Sequence, residues 1–262
     1  MTVEDLRAYY SKILPVYEKE SAANAHLAFW RGLAWRWRPD RILETGSGLG
    51  RITGALSRHA PTVGIDISVE MLARARRRRA AGTRARFVAA DMRDPVFGCR
   101  FDLIVAPSDP FSHWTAIRER RRALRQVADQ LSSDGRFVLE GLYRRGRRIE
   151  IPERRVRHSG GVLSIGETWT RTGRDLWEAR YRYRDRAADG TERTIRAGFV
   201  ARAWNPAEIR SFFNSCGLTI ETLWGDYDQR PFRANAERLI IVARRRARFV
   251  HRRGLVARGK RV

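Results

Sequence analysis

Residues 42–50, Ile42-Leu43-Glu44-Thr45-Gly46-Ser47-Gly48-Leu49-Gly50, decide how this chain folds. Arg41 to Glu44 reads as a short apolar strand, and three glycines at alternate positions follow it. Glycine carries no Cβ, so such a run can turn tightly after a strand and let the backbone approach a ligand closely. A helix running to about Arg58 is expected next, with its free N–H groups and positive end turned toward the glycines. The spacing separates this turn from the GxGxxG/A fingerprint of nicotinamide oxidoreductases. Counting from Gly46 and Gly48, that fingerprint would place its third small residue at Arg51, whereas here the third glycine is Gly50. A Gly-rich turn alone fits several nucleotide folds, so the surrounding elements carry the decision.

Toward the C-terminus a strand–helix rhythm continues. Thr62 to Ile65 is a second strand ending at Asp66, sixteen residues after Gly50. An acid in that place can accept both hydroxyls of a ribose. Ser68 can cap the next helix, with Met71 and Leu72 on its apolar side. Ala85 to Ala90 is a third strand. Asp91-Met92 follows it, where a carboxylate can accept an adenine amino group while the backbone reads the ring edge. Phe101 to Ala106 is a fourth strand, and residues 116–131 form a helix with Ile117, Leu124, Val127 and Leu131 at helical spacing. Asp134-Gly135 then turns into a fifth strand, Arg136 to Leu142. Strands alternating with helices predict a parallel sheet covered on both faces.

The flanks differ. Residues 3–37 read as one or two amphipathic helices rich in Tyr and Trp, ended by Pro39. After Tyr143 the rhythm breaks into a basic loop, residues 144–157. Three antiparallel strands are expected next, at 162–171, 176–184 and 194–204. In the second, Trp177, Ala179, Tyr181 and Tyr183 alternate with Glu178, Arg180, Arg182 and Arg184, the period of two of a half-buried strand. Pro206 opens a helix that ends near Cys216-Gly217. The last two strands are 218–224 and 237–243. Their connection is too short for a crossover helix, which predicts an antiparallel hairpin at one sheet edge.

Four stretches now stand in register: Glu44-Thr45-Gly46-Ser47-Gly48-Leu49-Gly50, Gly64-Ile65-Asp66-Ile67-Ser68, Ala90-Asp91-Met92 and Phe101-Asp102-Leu103-Ile104-Val105. In order and spacing they resemble the successive motifs of class I S-adenosylmethionine-dependent methyltransferases, through about residue 142. The resemblance implies an α/β fold, a doubly wound, mostly parallel seven-stranded sheet, with the antiparallel insertion between strands five and six. It implies S-adenosyl-L-methionine as cofactor. Gly46, Gly48 and Gly50 would cradle the methionine part, Asp66 would hold the ribose, and Asp91 with Met92 the adenine, with Glu44, Ser47, Ile67 and Met71 as further cofactor contacts. Thr45, where the family often has a small residue, is a mild departure. The fourth strand runs into Ala106-Pro107-Ser108-Asp109-Pro110-Phe111-Ser112-His113-Trp114, which should face the methyl group. This loop is more similar to those of small-molecule N-methyltransferases, the amino-sugar enzymes among them, than to the NPPY-type loop of nucleic-acid methyltransferases. In the amino-sugar group a His stands at the place of His113, and an antiparallel insertion occupies the place of residues 150–203. The resemblance thus points to Pro107 at the cofactor, His113 as a proton acceptor or orienting group, and Tyr17 and Trp114 at the substrate. The expected division is a helical cover (1–40), a cofactor-binding core (41–143), an insertion acting as lid or dimer face (144–204), the rest of the core sheet (205–243) and a basic tail (244–262).

Composition limits the alternatives. No run of about 18 apolar residues exists to span a membrane. The acidic start Met1-Thr2-Val3-Glu4-Asp5 lacks an apolar signal core. Cys99 and Cys216 show no metal spacing and read as reduced thiols, so a cytoplasmic protein without a bound metal is expected. The net charge of +24 is unusual, and all but Lys12, Lys19 and Lys260 of the 53 Lys and Arg residues are arginine. A GC-rich genome explains that ratio. A polyanion contact through the basic surface and tail would explain the net charge. The substrate side therefore carries two readings, a small molecule or a nucleic acid or protein, and a third without catalysis, an RNA-binding module that holds the cofactor. A homodimer is open.

Overall fold

The computed structural model describes residues 1–20, 26–79 and 81–246. Two helices, α1 (Val3–Glu20) and α2 (Leu27–Trp37), precede β1 (Ile42–Thr45), α3 (Arg51–Leu56), β2 (Thr62–Asp66), α4 (Val69–Arg78), β3 (Ala85–Ala89) and β4 (Phe101–Ala106). A 3-10 turn (Pro110–His113), α5 (Ile117–Gln130) and β5 (Leu131–Gly141) follow. The insertion is β6 (Arg148–His158), β7 (Gly161–Arg171), β8 (Leu176–Ala187) and β9 (Glu192–Arg202). The chain then returns through α6 (Ile209–Ser215), β10 (Leu218–Trp224) and β11 (Leu239–Arg245).

Seven strands form one sheet in the order β10-β11-β5-β4-β1-β2-β3. Strands β1 to β5 are mutually parallel, and β11 runs antiparallel to both β5 and β10, which is the expected edge hairpin. From β1 the chain builds outward through β2 and β3, then crosses to β4 on the other side of β1. The crevice beyond the carboxyl ends of β1 and β4 is therefore the switch point where such sheets bind ligands. Alternate strand residues divide between two apolar layers. Leu43, Ile104, Phe137 and Ile241 pack with Leu124 and Val127 of α5 and Phe213 of α6. Ile42, Leu103, Val138 and Ile240 pack with Phe29, Trp30 and Leu33 of α2.

Residues 148–158 correct the expected loop: they are β6, paired along β7. The register slips between Ile151 and Arg154, at Pro152, so the alternation of Ile149 and Ile151 resumes out of phase at Val156. An edge strand tolerates proline and a bulge there, and both hide the strand pattern in the sequence. In α5, Ile117 is exposed and Leu131 belongs to β5, while Ala123, Leu124, Val127 and Ala128 make the buried face. Strand β11 includes Arg244 and Arg245, and the rest of the basic tail, 247–262, lies outside the described residues.

The four-stranded sheet β6-β7-β8-β9 folds its apolar face onto α1: Leu163, Ile165, Tyr183 and Ile195 pack with Ile13 and Val16. The aromatic stripe of β8 is thus buried within one protomer, and a second copy would have to use another surface. Lys19 pairs with Asp185 of β8, Glu20 with Arg154 of β6, and Glu18 with Arg74 and Arg78 of α4. Helix α1 is therefore clasped on one side by the insertion and on the other by the core.

Candidate active site

The turn after β1 is shaped by what it must avoid. Gly46, Gly48 and Gly50 all adopt left-handed backbone, with φ of 69°, 50° and 73°. A Cβ on Gly46 would stand 2.6 Å from Cβ of Pro110, so the turn and the loop after β4 close on each other only with glycine there. Gly50 meets a different demand. Its Cβ would lie 2.4 Å from the Phe87 ring, so this glycine lets α3 pack beside β3 and lies away from the crevice.

At the end of β2, Asp66 accepts the Gly48 N–H through Oδ2 and the Ser68 N–H through Oδ1, both at 2.8 Å. Burial pushes its carboxyl up, and these backbone bonds oppose that. A carboxylate offers about four acceptor positions, so two remain for hydroxyls of a ligand. Gly46, Gly48, Asp66, Ile67, Met71, Met92 and Pro107 line one cavity here. Met71 seats its sulfur 3.5 Å from where a Cβ of Gly48 would be, and its N–H donates to the capping Ser68. A backbone cradle that a side chain would fill, beside a buried carboxylate with spare acceptor capacity, fits an S-adenosyl ligand.

Three expected contacts sit one layer back. Glu44 is buried, receives the Thr53 hydroxyl, and is pushed up to about 8 by burial. The Ser47 N–H donates to Ile65 at 2.9 Å, while its buried hydroxyl lacks a protein partner. Asp91 stands outside the lining, between Ala90 and Met92, which are part of it. The Arg93 guanidinium grips both Asp91 oxygens, at 3.1, 3.0 and 2.6 Å. Burial works to raise Asp91, but Arg93 holds it below the usual carboxylate range. Arg93 also reaches Glu119 at 2.6 Å and lies 3.9 Å from the centre of the Trp114 ring.

A second cavity, of about 300 Å³, opens between α1, the insertion and the end of β5. Its walls carry Tyr9, Tyr10, Tyr17, Tyr181 and Tyr183, together with Glu20, Glu140, Glu167 and Glu237 against Arg144 and Arg238. In a chain of net charge +24, this is an acidic, aromatic enclosure. Glu167 accepts from Trp169 Nε1 at 2.6 Å and from the Tyr181 hydroxyl at 3.3 Å.

Tyr10, Tyr17, Ser108 and His113 line both cavities and form the wall between them. Tyr17 thus borders the second cavity as well as the first, whereas Trp114 lines only the first, with the Arg93 guanidinium over its ring. His113 Nε2 lies 2.8 Å from the Tyr10 hydroxyl, and its buried Nδ1 has no protein partner. Burial lowers its pKa to about 4, so it is a neutral imidazole at neutral pH.

The sequence reading missed Asp109. It is 2% exposed, in left-handed backbone at φ 45°, directly after Ser108 at φ 55°. Its Oδ2 accepts the Leu142 N–H at 2.7 Å and the Trp204 Nε1–H at 2.8 Å, and its buried Oδ1 makes no hydrogen bond among the described residues. Burial pushes it up to about 6, opposed by Arg120. The faint signal was an acid in the loop after β4. Its partners come from β5 and the return of the insertion, which no spacing rule links to it. Among the described residues no group of three or more His, Cys, Asp or Glu side chains could hold a metal ion, and no helix is long and apolar enough to cross a membrane.

The sheet order, switch-point crevice and glycine cradle belong to one Rossmann-like core with a ligand-binding cavity at its switch point. Residues 42–135 match the family described as "Methyltransferase domain". Among curated proteins none matches the sequence. Solved structures do. The CcbJ methyltransferase from Streptomyces caelestis is 19% identical, covers 91% of this chain and 98% of its own, and superposes with a TM-score of 0.76. CalS10, an amino pentose methyltransferase from Micromonospora echinaspora, is 22% identical over 88% of this chain and 95% of its own, with a TM-score of 0.72. DesVI from Streptomyces venezuelae is 19% identical over 90% and 97%, also with a TM-score of 0.72. The insertion is therefore part of a fold shared along almost the whole chain.

Proposed function

We propose that this enzyme methylates the amine of a small polar molecule of the amino-sugar class. The observation that carries the reading is the acidic, tyrosine-lined cavity that shares Tyr10, Tyr17, Ser108 and His113 with the cofactor cavity. Carboxylates and aromatic faces together suit a cationic, hydroxyl-bearing guest. The amino pentose enzyme CalS10 and the sugar N-methyltransferase KedS8 share the fold, which supports the same reading.

S-adenosylmethionine, when bound, supplies an electrophilic methyl group on a sulfonium centre. Gly46, Gly48 and Met71 would hold its amino-acid part, Asp66 with Ile67 its ribose, and Met92 and Pro107 the face of its adenine side. Glu44, Ser47 and Gly50 support that cradle from beneath, and Asp91 would reach the adenine only by sharing its oxygens with Arg93. The neutral His113, fixed by Tyr10, orients the acceptor at the shared wall. Catalysis is then mainly positional. Transfer of labelled methyl to amino sugars, and not to their hydroxyl counterparts or to RNA, is the expected result. Label only in RNA or protein would overturn the reading and favour the exposed arginines of the insertion's outer face, Arg155, Arg157, Arg182, Arg186 and Arg196, as the recognition surface. That alternative would also show steep salt dependence.

A further inference from the structure

The cavity holds several acids, and all but one are committed or exposed. Glu140 receives the Tyr227 hydroxyl at 2.6 Å, Arg238 at 3.1 Å and the Ser108 N–H at 3.0 Å. Glu167 receives Trp169 and Tyr181. Glu20 pairs with Arg154 at 2.5 Å, and Glu237 is exposed. Among these acids Asp109 alone is fully buried in the cavity wall with an oxygen, Oδ1, that makes no hydrogen bond among the described residues, the Ser112 N–H lying near the carboxyl. An acceptor left without a donor in the interior costs free energy, so its presence calls for a partner supplied from outside the chain.

The backbone goes out of its way to place this group. Ser108 and Asp109 are consecutive non-glycine residues in left-handed conformation, which side-chain-bearing residues rarely adopt. The other oxygen is pinned. Oδ2 takes the N–H of Leu142 and the indole N–H of Trp204, and Trp204 carries the buried Arg120 guanidinium 4.1 Å from its ring centre. Arg120 in turn donates to the carbonyls of Arg202 and Ala203. Oδ2 is thus locked by Leu142 just after β5 and Trp204 just after β9, with Arg120 of α5 against the indole, and Asp109 lines the cavity four residues before His113.

We infer that Asp109 is the carboxylate that receives the protonated amine of the substrate and takes its proton, leaving the neutral amine beside the shared wall. The step balances simply. An N–H bond of the ammonium breaks, an O–H bond forms on Oδ1, and the electron pair of the broken bond stays on nitrogen as its nucleophilic lone pair. The proton leaves Asp109 to solvent once the cavity opens. The groups facing Asp109 suit this. Burial pushes Asp109 up to about 6 and Arg120 from α5 opposes it, so it is ionised at neutral pH, while burial keeps His113 of the 3-10 turn neutral; Glu140 from β5 is held by Tyr227, Arg238 and the Ser108 N–H. Across the cavity, Glu20 and the tyrosines of α1, Glu167, Tyr181 and Tyr183 of the insertion, and Arg144, Glu237 and Arg238 face the same space. The inference rests on the amine reading above and names the residue that carries it.

The test uses Asp109→Asn in the full chain. Asparagine keeps the side-chain oxygen that Leu142 and Trp204 need and replaces the free oxygen by an amide donor. The probes are 2-, 3- and 4-amino-deoxyhexoses, each against its hydroxyl counterpart, measured by calorimetry between about pH 5 and 8. The wild type should bind one amino sugar at least about tenfold tighter than its counterpart above about pH 6. The variant should lose that preference while keeping its melting temperature and its affinity for S-adenosylhomocysteine. With the preferred amine, kcat should fall about 10²-fold and recover as pH rises, because the acceptor must then arrive already neutral. A variant that keeps the amine preference and the wild-type pH profile overturns the role of Asp109 alone. A wild type that neither binds nor methylates any amino sugar overturns the amine reading itself.

Discussion

Replacing Glu44 by Gln should stabilise the protein and remove much of its sensitivity to rising pH. Glu44 is 3% exposed at the end of β1, and its main partner is the Thr53 hydroxyl. Burial pushes its carboxyl up to about 8, from 4.5 in an unfolded chain. Between these values the folded state keeps a proton that the unfolded state has lost. Stability is therefore highest at low pH and falls as pH rises through the window from about 4.5 to about 8. Each unit of that difference is worth about 1.4 kcal/mol, so the loss between about pH 6 and 8 is about 2 kcal/mol. At about 2–4 °C per kcal/mol for a chain of this size, the wild-type melting temperature should drop by about 4–8 °C over that interval. Glutamine keeps the acceptor for Thr53 and has nothing to titrate. Glu44→Gln should melt above the wild type at about pH 8 and show a markedly flatter profile from about pH 6 upward. Asp109, pushed up to about 6, titrates mostly below this interval, so the two contributions separate. Differential scanning calorimetry without ligand decides the matter. Equal slopes for variant and wild type between about pH 6 and 8 would falsify the assignment of this titration to Glu44.

Other expectations concern the cofactor cradle and the shared wall. Asp66→Asn should weaken S-adenosylhomocysteine binding by about 2–4 kcal/mol in calorimetry, since a charged acceptor of two ribose hydroxyls is lost; unchanged affinity would remove Asp66 from the ligand. Gly46→Ala combines a φ of 69° with a Cβ 2.6 Å from Pro110, so it should cost about 1–3 kcal/mol of stability and most of the cofactor affinity. The matching change at Gly50 should lower the melting temperature chiefly by displacing Phe87. His113→Ala should lower kcat about 10²-fold with cofactor affinity nearly unchanged. Because His113 stays neutral above about pH 4, its loss should leave the neutral limb of the pH profile in place; a neutral limb that vanishes in the variant would count against a positional role.

Much of the architecture was legible because it depends on local rules. Glycines at 46, 48 and 50, an acid at 66 and the alternation of strands with helices specify a switch-point crevice from short-range sterics and period alone. The short connection before β11 likewise announced the antiparallel edge. What no local rule contained was which side chains meet across the fold. Strand β6 was hidden by a proline and a bulge at an edge. Asp91 was turned from the crevice by Arg93, two residues away, held by Glu119 and Trp114 from the α5 side. Gly50 proved to serve Phe87 of β3, and Trp114 to face the cofactor side. The aromatic stripe of β8 could be read as half-buried, but its partner, α1, is more than 150 residues distant in sequence. The same holds for Asp109, whose burial and free oxygen exist only because Leu142 and Trp204 close over it. The sequence by itself determined the sheet, the turn and the place of the crevice, since these follow from backbone conformation and period. Tertiary structure alone decided the charge, enclosure and proton chemistry of the substrate cavity, since these arise where distant segments exclude water around a few polar groups.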